Sequence, residues 1–257
     1  MKRVVFLTGT RADFGKLKSL IQITQDSKNI EAYIFATGMH LNETYGRTVD
    51  EIIKCGFENI YCYENHSKGN NMDIILSSTI NGFSEYLKKI KPDMVIVHGD
   101  RVEALAGAIV GSLNNTLVSH IEGGEISGTI DELIRHSVSK LSHLHFVANH
   151  KAKERLKQLG ELDSLIHVIG SPDLDLMNSN KLPDISKAKQ YYGVDYESYA
   201  IAMYHPVTTE IEKIEDNVTN YINALCESNL NYIVIYPNND LGSKLIIDAI
   251  NKNKDNQ

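Results

Sequence analysis

The stretch MVIVHGDRVEALAGAIVGSLNNTLVSHIEGGE, residues 94–125, contains a complete strand–helix–strand unit. Met94 to His98 is a short apolar run between Pro92 and Gly99, the pattern of a strand buried on both faces. Arg101 to Asn114 repeats apolar residues at helical spacing, and Thr116 to Ile121 is a second strand. Two strands joined by a helical crossover run parallel in one sheet. The same rhythm extends outward. Strands are expected at Val4 to Thr8, Glu31 to Ala36 and Asn59 to Tyr63 before this unit, and at Leu144 to Ala148 and Ile166 to Ile169 after it. Helical patterns lie between them at Phe14 to Asp26, Asp73 to Ile90, Asp131 to Ser142 and His150 to Leu159. The fold class that follows is α/β, a Rossmann-like doubly wound parallel sheet.

Ile169-Gly170-Ser171-Pro172-Asp173 interrupts the alternation, and a polar segment from Asn178 to Asp184 follows. This places a domain boundary near Ser171, giving domains 1–171 and 172–257. The second offers two strands, Tyr199 to Tyr204 and Asn231 to Tyr236, each followed by a helical stretch. Two strands are too few for an independent parallel sheet, so the second domain reads as incomplete.

Composition narrows the class of function. The 257 residues are 42% hydrophobic and 23% charged, ordinary values for a globular protein. The formal net charge of -7 argues against nucleic acid or anionic membrane as partner, since both call for broad basic surfaces. Met1 to Leu7 reads as a first strand and lacks the features of a signal peptide, no run is long and apolar enough to span a membrane, and Cys55, Cys62 and Cys226 form no close pair. A cytoplasmic location is the expectation.

Ligands of open α/β sheets bind beyond the carboxyl ends of the strands, and the polar residues of this chain gather there. Thr8-Gly9-Thr10-Arg11 follows the first strand, His98-Gly99-Asp100-Arg101 the fourth and Glu122-Gly123-Gly124-Glu125 the fifth. Arg11 suits an anion at a helix amino terminus and equally an ordinary turn. Asp100, before a helix, suits an N-cap as well as a catalytic role. Glu122 is a poor cap flanked by glycines that allow close approach, which favours function. Asp131 and Arg135 are four residues apart on a helix, where an ion pair explains them as well as a site does. His143 and His145 alternate along a strand with no carboxylate at ligand spacing, so no metal is expected.

Taken together, TGTRADFGKLKSL, HGDRVEALAGA, HIEGGEISGTIDELIRHSVSKLSHLHFVAN, IGSPDLD, YHPVTTE and YPNND resemble the bacterial hydrolysing UDP-N-acetylglucosamine 2-epimerases that form N-acetylmannosamine for sialic acid. The resemblance runs from Thr8 to Asp240. It implies a glycosyltransferase-B type pair of Rossmann-like domains, a nucleotide-sugar substrate, a homodimer, and no metal or other cofactor. It also implies elimination of UDP to give 2-acetamidoglucal, followed by hydration. By the same resemblance Asp100, Glu122 and Asp131 are the catalytic carboxylates, and Arg11, Arg135, His205, Asn238 and Asn239 bind the substrate. Family members continue past Gln257 with strands and a glycine-serine-rich loop that hold the nucleotide. A glycosyltransferase on the same scaffold, or a truncated binding or dimerisation module without turnover, is the alternative.

Overall fold

A computed structural model describes residues 1–43, 46–66, 71–178, 182–207, 210–237 and 242–253. Seven strands form one parallel sheet: β1 (Lys2–Thr8), β2 (Ile30–Ala36), β3 (Ile60–Cys62), β4 (Met94–His98), β5 (Leu117–Ile121), β6 (Leu144–Val147) and β7 (Ile166–Val168). Their order is β3-β2-β1-β4-β5-β6-β7, every neighbouring pair parallel. The direction of winding reverses between β1 and β4, and in open α/β sheets ligands bind beyond the carboxyl ends of the strands at such a switch point.

Alternation along β1 shows why helices cover both faces. Val4 and Phe6 pack with Phe14, Leu17 and Ile21 of α1 (Arg11–Gln25) and with Val49 and Ile52 of α2 (Val49–Lys54). Val5 and Leu7 face the other way, toward α3 (Met72–Ile90), α4 (Val102–Leu113) and α5 (Ile130–Lys140). On that side Phe35 and Phe83 meet edge to face with centroids 4.9 Å apart, and neither is exposed at all. The short helix α2 carries no signal that the periodicity of the sequence reveals. A further helix, α6 (His150–Gln158), buries Ala152 and Leu156 against Val147 and Ile166.

α4 lies unusually close to the sheet because two glycines face it. A Cβ at Gly107 would stand 2.8 Å from Val97 Cγ1, and one at Gly111 would stand 2.6 Å from Val118 Cγ2. This approach fixes the loop between β4 and α4, where His98 and Asp100 lie.

The chain divides into two compact units, Met1–Asn180 and Lys181–Gln257. The first closes later than the Ser171 boundary expected from sequence. The reason is α7 (Asp173–Met177), which lies against α1 and is tied to it by Lys16 Nζ and Asp173 Oδ2 at 2.7 Å. The second unit holds α8 (Ile185–Tyr192) and a parallel pair of strands, β8 (Ala200–Met203) and β9 (Tyr232–Ile235). With α9 (Ile214–Glu227) and α10 (Ser243–Lys252) these strands enclose a small core of Ile214, Val218, Ile222, Ile246 and Ile250. Ile201 and Met203 remain largely exposed, so one face of this two-stranded sheet is uncovered.

Replacing Gly111 by alanine normally favours a helix by about 1 kcal/mol. Here the added methyl collides with Val118, and overpacking costs about 1–3 kcal/mol. Gly111→Ala is therefore expected to lower the urea midpoint of the first unit, whereas Gly15→Ala in α1, where a Cβ meets nothing within 4 Å, should raise it or leave it unchanged.

Candidate active site

Thr10 and Asp13 form a capping box at the start of α1. Asp13 N donates to Thr10 Oγ1 at 3.2 Å, and Asp13 Oδ2 accepts from Thr10 N at 3.0 Å and from Gly9 N at 3.1 Å. One carboxylate oxygen is thereby held by the backbone. The other, Oδ1, lies 3.6 Å from His98 Nδ1, a close ion-pair distance slightly long for a hydrogen bond. His98 ends β4, and its Nε2 donates to Glu122 Oε2 at 3.0 Å. Glu122 Oε1 accepts from Lys16 Nζ at 2.9 Å and from Ser171 Oγ at 2.7 Å. Lys16 also reaches Asp173, so a continuous ionic chain links α1, β4, the loop after β5 and the loop after β7.

The charge states follow from this arrangement. Burial opposes a charged His98, but the hydrogen bond to Glu122 and the negative charges of Asp13 and Glu122 beside it outweigh burial and raise the imidazole to about 9. Burial likewise opposes an ionised Glu122, yet His98, Ser171 and Lys16 hold it down to about 2. Asp13 is lowered as well: its burial is overcome by His98, Arg101 and the Gly9 amide. Lys16 is raised, its partial burial outweighed by Asp173 and Glu122.

Beside this chain, on α5, Arg135 is buried and ion-paired with Asp100, and donates to the carbonyl of Glu125 at 3.1 Å. Asp100 is thus not the N-cap its position suggested. Arg101 occupies the cap position of α4, while the Asp100 carboxylate turns to the guanidinium. Asp131 sits in the first turn of α5, one turn before Arg135, and accepts from Thr129 Oγ1 at 3.2 Å. Between the two groups lies His120, wholly buried. Its Nε2–H donates to Gly99 O at 2.8 Å and burial lowers it to about 3, so it is a neutral strut.

Of the other residues singled out from sequence, Arg11 is exposed as the first residue of α1. His205 is exposed after β8 in the second unit, and Asn238 and Asn239 lie outside the described residues. His143 and His145 do not converge. His143 Nδ1 accepts from the Val118 amide, while buried His145 pairs through Nε2 with Glu161 at 3.2 Å.

Residues 22–257 match the family model described as UDP-N-acetylglucosamine 2-epimerase. The chain belongs to the UDP-N-acetylglucosamine 2-epimerase family. It is 50% identical over 252 residues to a protein of that name from Neisseria meningitidis, covering 98% of this chain and 67% of the relative. It is 36% identical over 256 residues to the UDP-N,N'-diacetylbacillosamine 2-epimerase (hydrolyzing) of Legionella pneumophila, again covering 67% of that protein. In fold it is similar to the crystal structure of UDP-GlcNAc 2-epimerase from Neisseria meningitidis bound to UDP-GlcNAc. That likeness has a TM-score of 0.81 at 20% identity and covers 97% of this chain and 70% of the other.

The loop after β5 explains how Glu122 comes to face His98. Glu122 adopts φ +60°, a left-handed conformation unusual for glutamate, while its amide donates to Phe146 O at 2.8 Å. Gly124 has φ +78°, and a Cβ there would stand 2.4 Å from the Ala152 carbonyl oxygen. Asp13, Lys16, His98, Ser171 and Asp173 were not singled out from sequence. The Thr10–Asp13 spacing marks a capping box and His98 is the last residue of a strand, so both carried a signal. Ser171 and Asp173 lie in the IGSPDLD string, but nothing there points to their partners Lys16 and Glu122, which are far away in sequence.

The cluster dictates a pH profile of stability. His98, raised from 6.5 to about 9 in the folded chain, contributes fully below pH 6.5 and loses its contribution as pH rises through about 9. Glu122, lowered from 4.5 to about 2, contributes above pH 4.5 and loses its contribution as pH falls through about 2. The stability gap between the parent and His98→Gln should therefore be widest between pH 4.5 and 6.5 and narrow toward pH 9, as read by urea unfolding at each pH.

Proposed function

We propose that this chain carries the acidic half of a hydrolysing 2-epimerase that converts UDP-N-acetylglucosamine and water to N-acetylmannosamine and UDP. The observation that carries this reading is the pair of linked groups at adjacent strand ends, Glu122 on His98 and Asp100 on Arg135. The hydrolysing reaction specified in the name of the Legionella relative, at 36% identity across nearly the whole chain, supports the same direction.

The hydrogen at C2 of the sugar is not adjacent to a carbonyl, so a carboxylate alone is too weak a base to remove it. Departure of the diphosphate changes this. The C1–O bond breaks with its electron pair going to UDP, and positive charge spreads over C1 and the ring oxygen. That charge acidifies C2, whose proton then passes to a carboxylate, leaving 2-acetamidoglucal. Hydration reverses the flow: a proton adds at C2 from the opposite face and water adds at C1. Asp100, Glu122 and Asp131 supply the carboxylates, acting as charge stabilisers and proton carriers in the manner of glycosidases. Arg11, at the amino terminus of α1, is suited to the departing diphosphate, and His205, Asn238 and Asn239 are the second unit's contribution to substrate binding.

Incubation with UDP-N-acetylglucosamine in deuterated water tests the reading. Mass spectrometry should find N-acetylmannosamine carrying one deuterium at C2; product without it rules out elimination. Asp100→Asn and Asp131→Asn should each reduce kcat by roughly 10²-fold or more, the usual scale for acid–base groups. Sugar passed to an added acceptor with C2 configuration retained would point instead to a transferase.

A further inference from the structure

The three catalytic carboxylates proposed above do not stand in equivalent surroundings, and the difference is geometric. Glu122 receives three donors: His98 on Oε2, and Lys16 and Ser171 on Oε1. Its side chain is only 17% exposed. Asp100 meets Arg135 through Oδ2, and its Oδ1 has no protein donor among the described residues, with 26% of the side chain exposed. A carboxylate whose lone pairs are already taken by charged donors is a poor base and a poor carrier of protons, but a well-fixed negative charge.

Asp13 stands behind His98, with Oδ1 3.6 Å from the buried Nδ1, an ion-pair contact rather than a hydrogen bond. Asp13 is locked by the amides of Gly9 and Thr10, so it acts as a fixed anion at the amino terminus of α1. The ionisable groups that bear on this core are Asp13 and Lys16 from α1, Asp173 from α7 on Lys16, Glu122 from the loop after β5, Arg101 after β4, neutral His120 on β5, and His40 after β2 beside Asp13. Two anions thus flank one imidazole that is 11% exposed.

We propose that Asp13 and His98 are positioning residues that keep Glu122 ionised and immobile as the counter-charge to the cation at C1, and so leave proton transfer to Asp100 and Asp131. This rests on the epimerase reading, but its physical core can be tested without turnover.

The experiment is nuclear magnetic resonance on the chain with ring-15N histidine and side-chain-13C glutamate, followed from pH 8 to pH 4. In the parent, both ring nitrogens of His98 should carry protons throughout and Glu122 should not titrate. In Asp13→Asn, whose amide oxygen still accepts from the Gly9 and Thr10 amides, His98 should lose its second proton within this range, where the parent keeps it. In His98→Gln the Glu122 midpoint should rise by at least one unit. Amide spectra of both variants matching the parent outside the cluster establish that they are folded. If a variant fails to fold, the parent titration alone decides. A singly protonated His98 at pH 7, or a Glu122 that titrates above pH 4 in the parent, overturns the proposal.

Kinetics adds the catalytic half. With UDP-N-acetylglucosamine, His98→Gln should lower kcat at least tenfold with KM within about threefold, since it acts on the developing charge rather than on binding. Asp13→Asn should move the alkaline limb of kcat to lower pH. Unchanged kcat in both variants overturns the positioning role. Absence of product from the parent, with the titration signatures intact, refutes the epimerase reading while the held charge on Glu122 stands.

Discussion

The imidazole of His98 lies 3.0 Å from one carboxylate and 3.6 Å from another, and all three side chains are nearly out of water. Each charge alone would be costly there, by several kcal/mol after the protein relaxes. The group is tolerable because the charges alternate and because Asp13 and Glu122 have further donors. Removing one partner from such a cluster leaves a buried charge without compensation, at a cost of about 3–5 kcal/mol. The cluster therefore demands that α1, the end of β4 and the loops after β5 and β7 be brought to one place. The reversal of winding between β1 and β4 provides that place, since it separates the helices on either side and leaves the strand ends accessible.

The close seat of α4 belongs to the same arrangement. Gly107 and Gly111 let the helix settle on Val97 and Val118, and this draws in the turn that joins it to β4. Gly99 then offers its carbonyl to His120, and Asp100 can meet Arg135 from the neighbouring helix. On the next loop Gly123 and Gly124 keep the backbone low enough for Glu122 to face His98, at the expense of a left-handed conformation at Glu122 itself. That conformation is held by the hydrogen bond from the Glu122 amide to the Phe146 carbonyl and by three donors on the side chain. Small residues in this region are thus tied to where charges must sit.

The fold was legible because the pattern is redundant. β4 was expected and found at Met94–His98, and the other strands of the sheet fall within two residues at either end, since each is an apolar run closed by glycine, proline or a polar turn. Helix α2, six residues long, was missed, as was the short α7 that carries the first unit past Ser171; neither is long enough to show a period. At the site, Asp100 and Glu122 were recognisable as polar residues at strand ends. The identity of their partners was not, because His98–Glu122 and Lys16–Asp173 are contacts between side chains far apart in sequence. Spacing in sequence left an Asp131–Arg135 pair on one helix as open as a site role. The folded chain sets Arg135 against Asp100 instead, joining α5 to the loop after β4.

On the proposed reaction, this distribution of partners has a chemical sense. Elimination develops positive charge before it moves a proton, and the two tasks ask opposite things of a carboxylate. Stabilising a short-lived cation favours an anion that is already charged, already oriented and needs no solvent to rearrange. Moving a proton favours a carboxylate with a free oxygen and some access to the reacting carbon. One environment does not serve both. Glu122, gripped by His98, Lys16 and Ser171, fits the first task, while Asp100, whose Oδ1 meets no donor among the described residues, fits the second. Separating the roles in this way lets hydration follow elimination without the stabilising charge being lost to the proton it helped release.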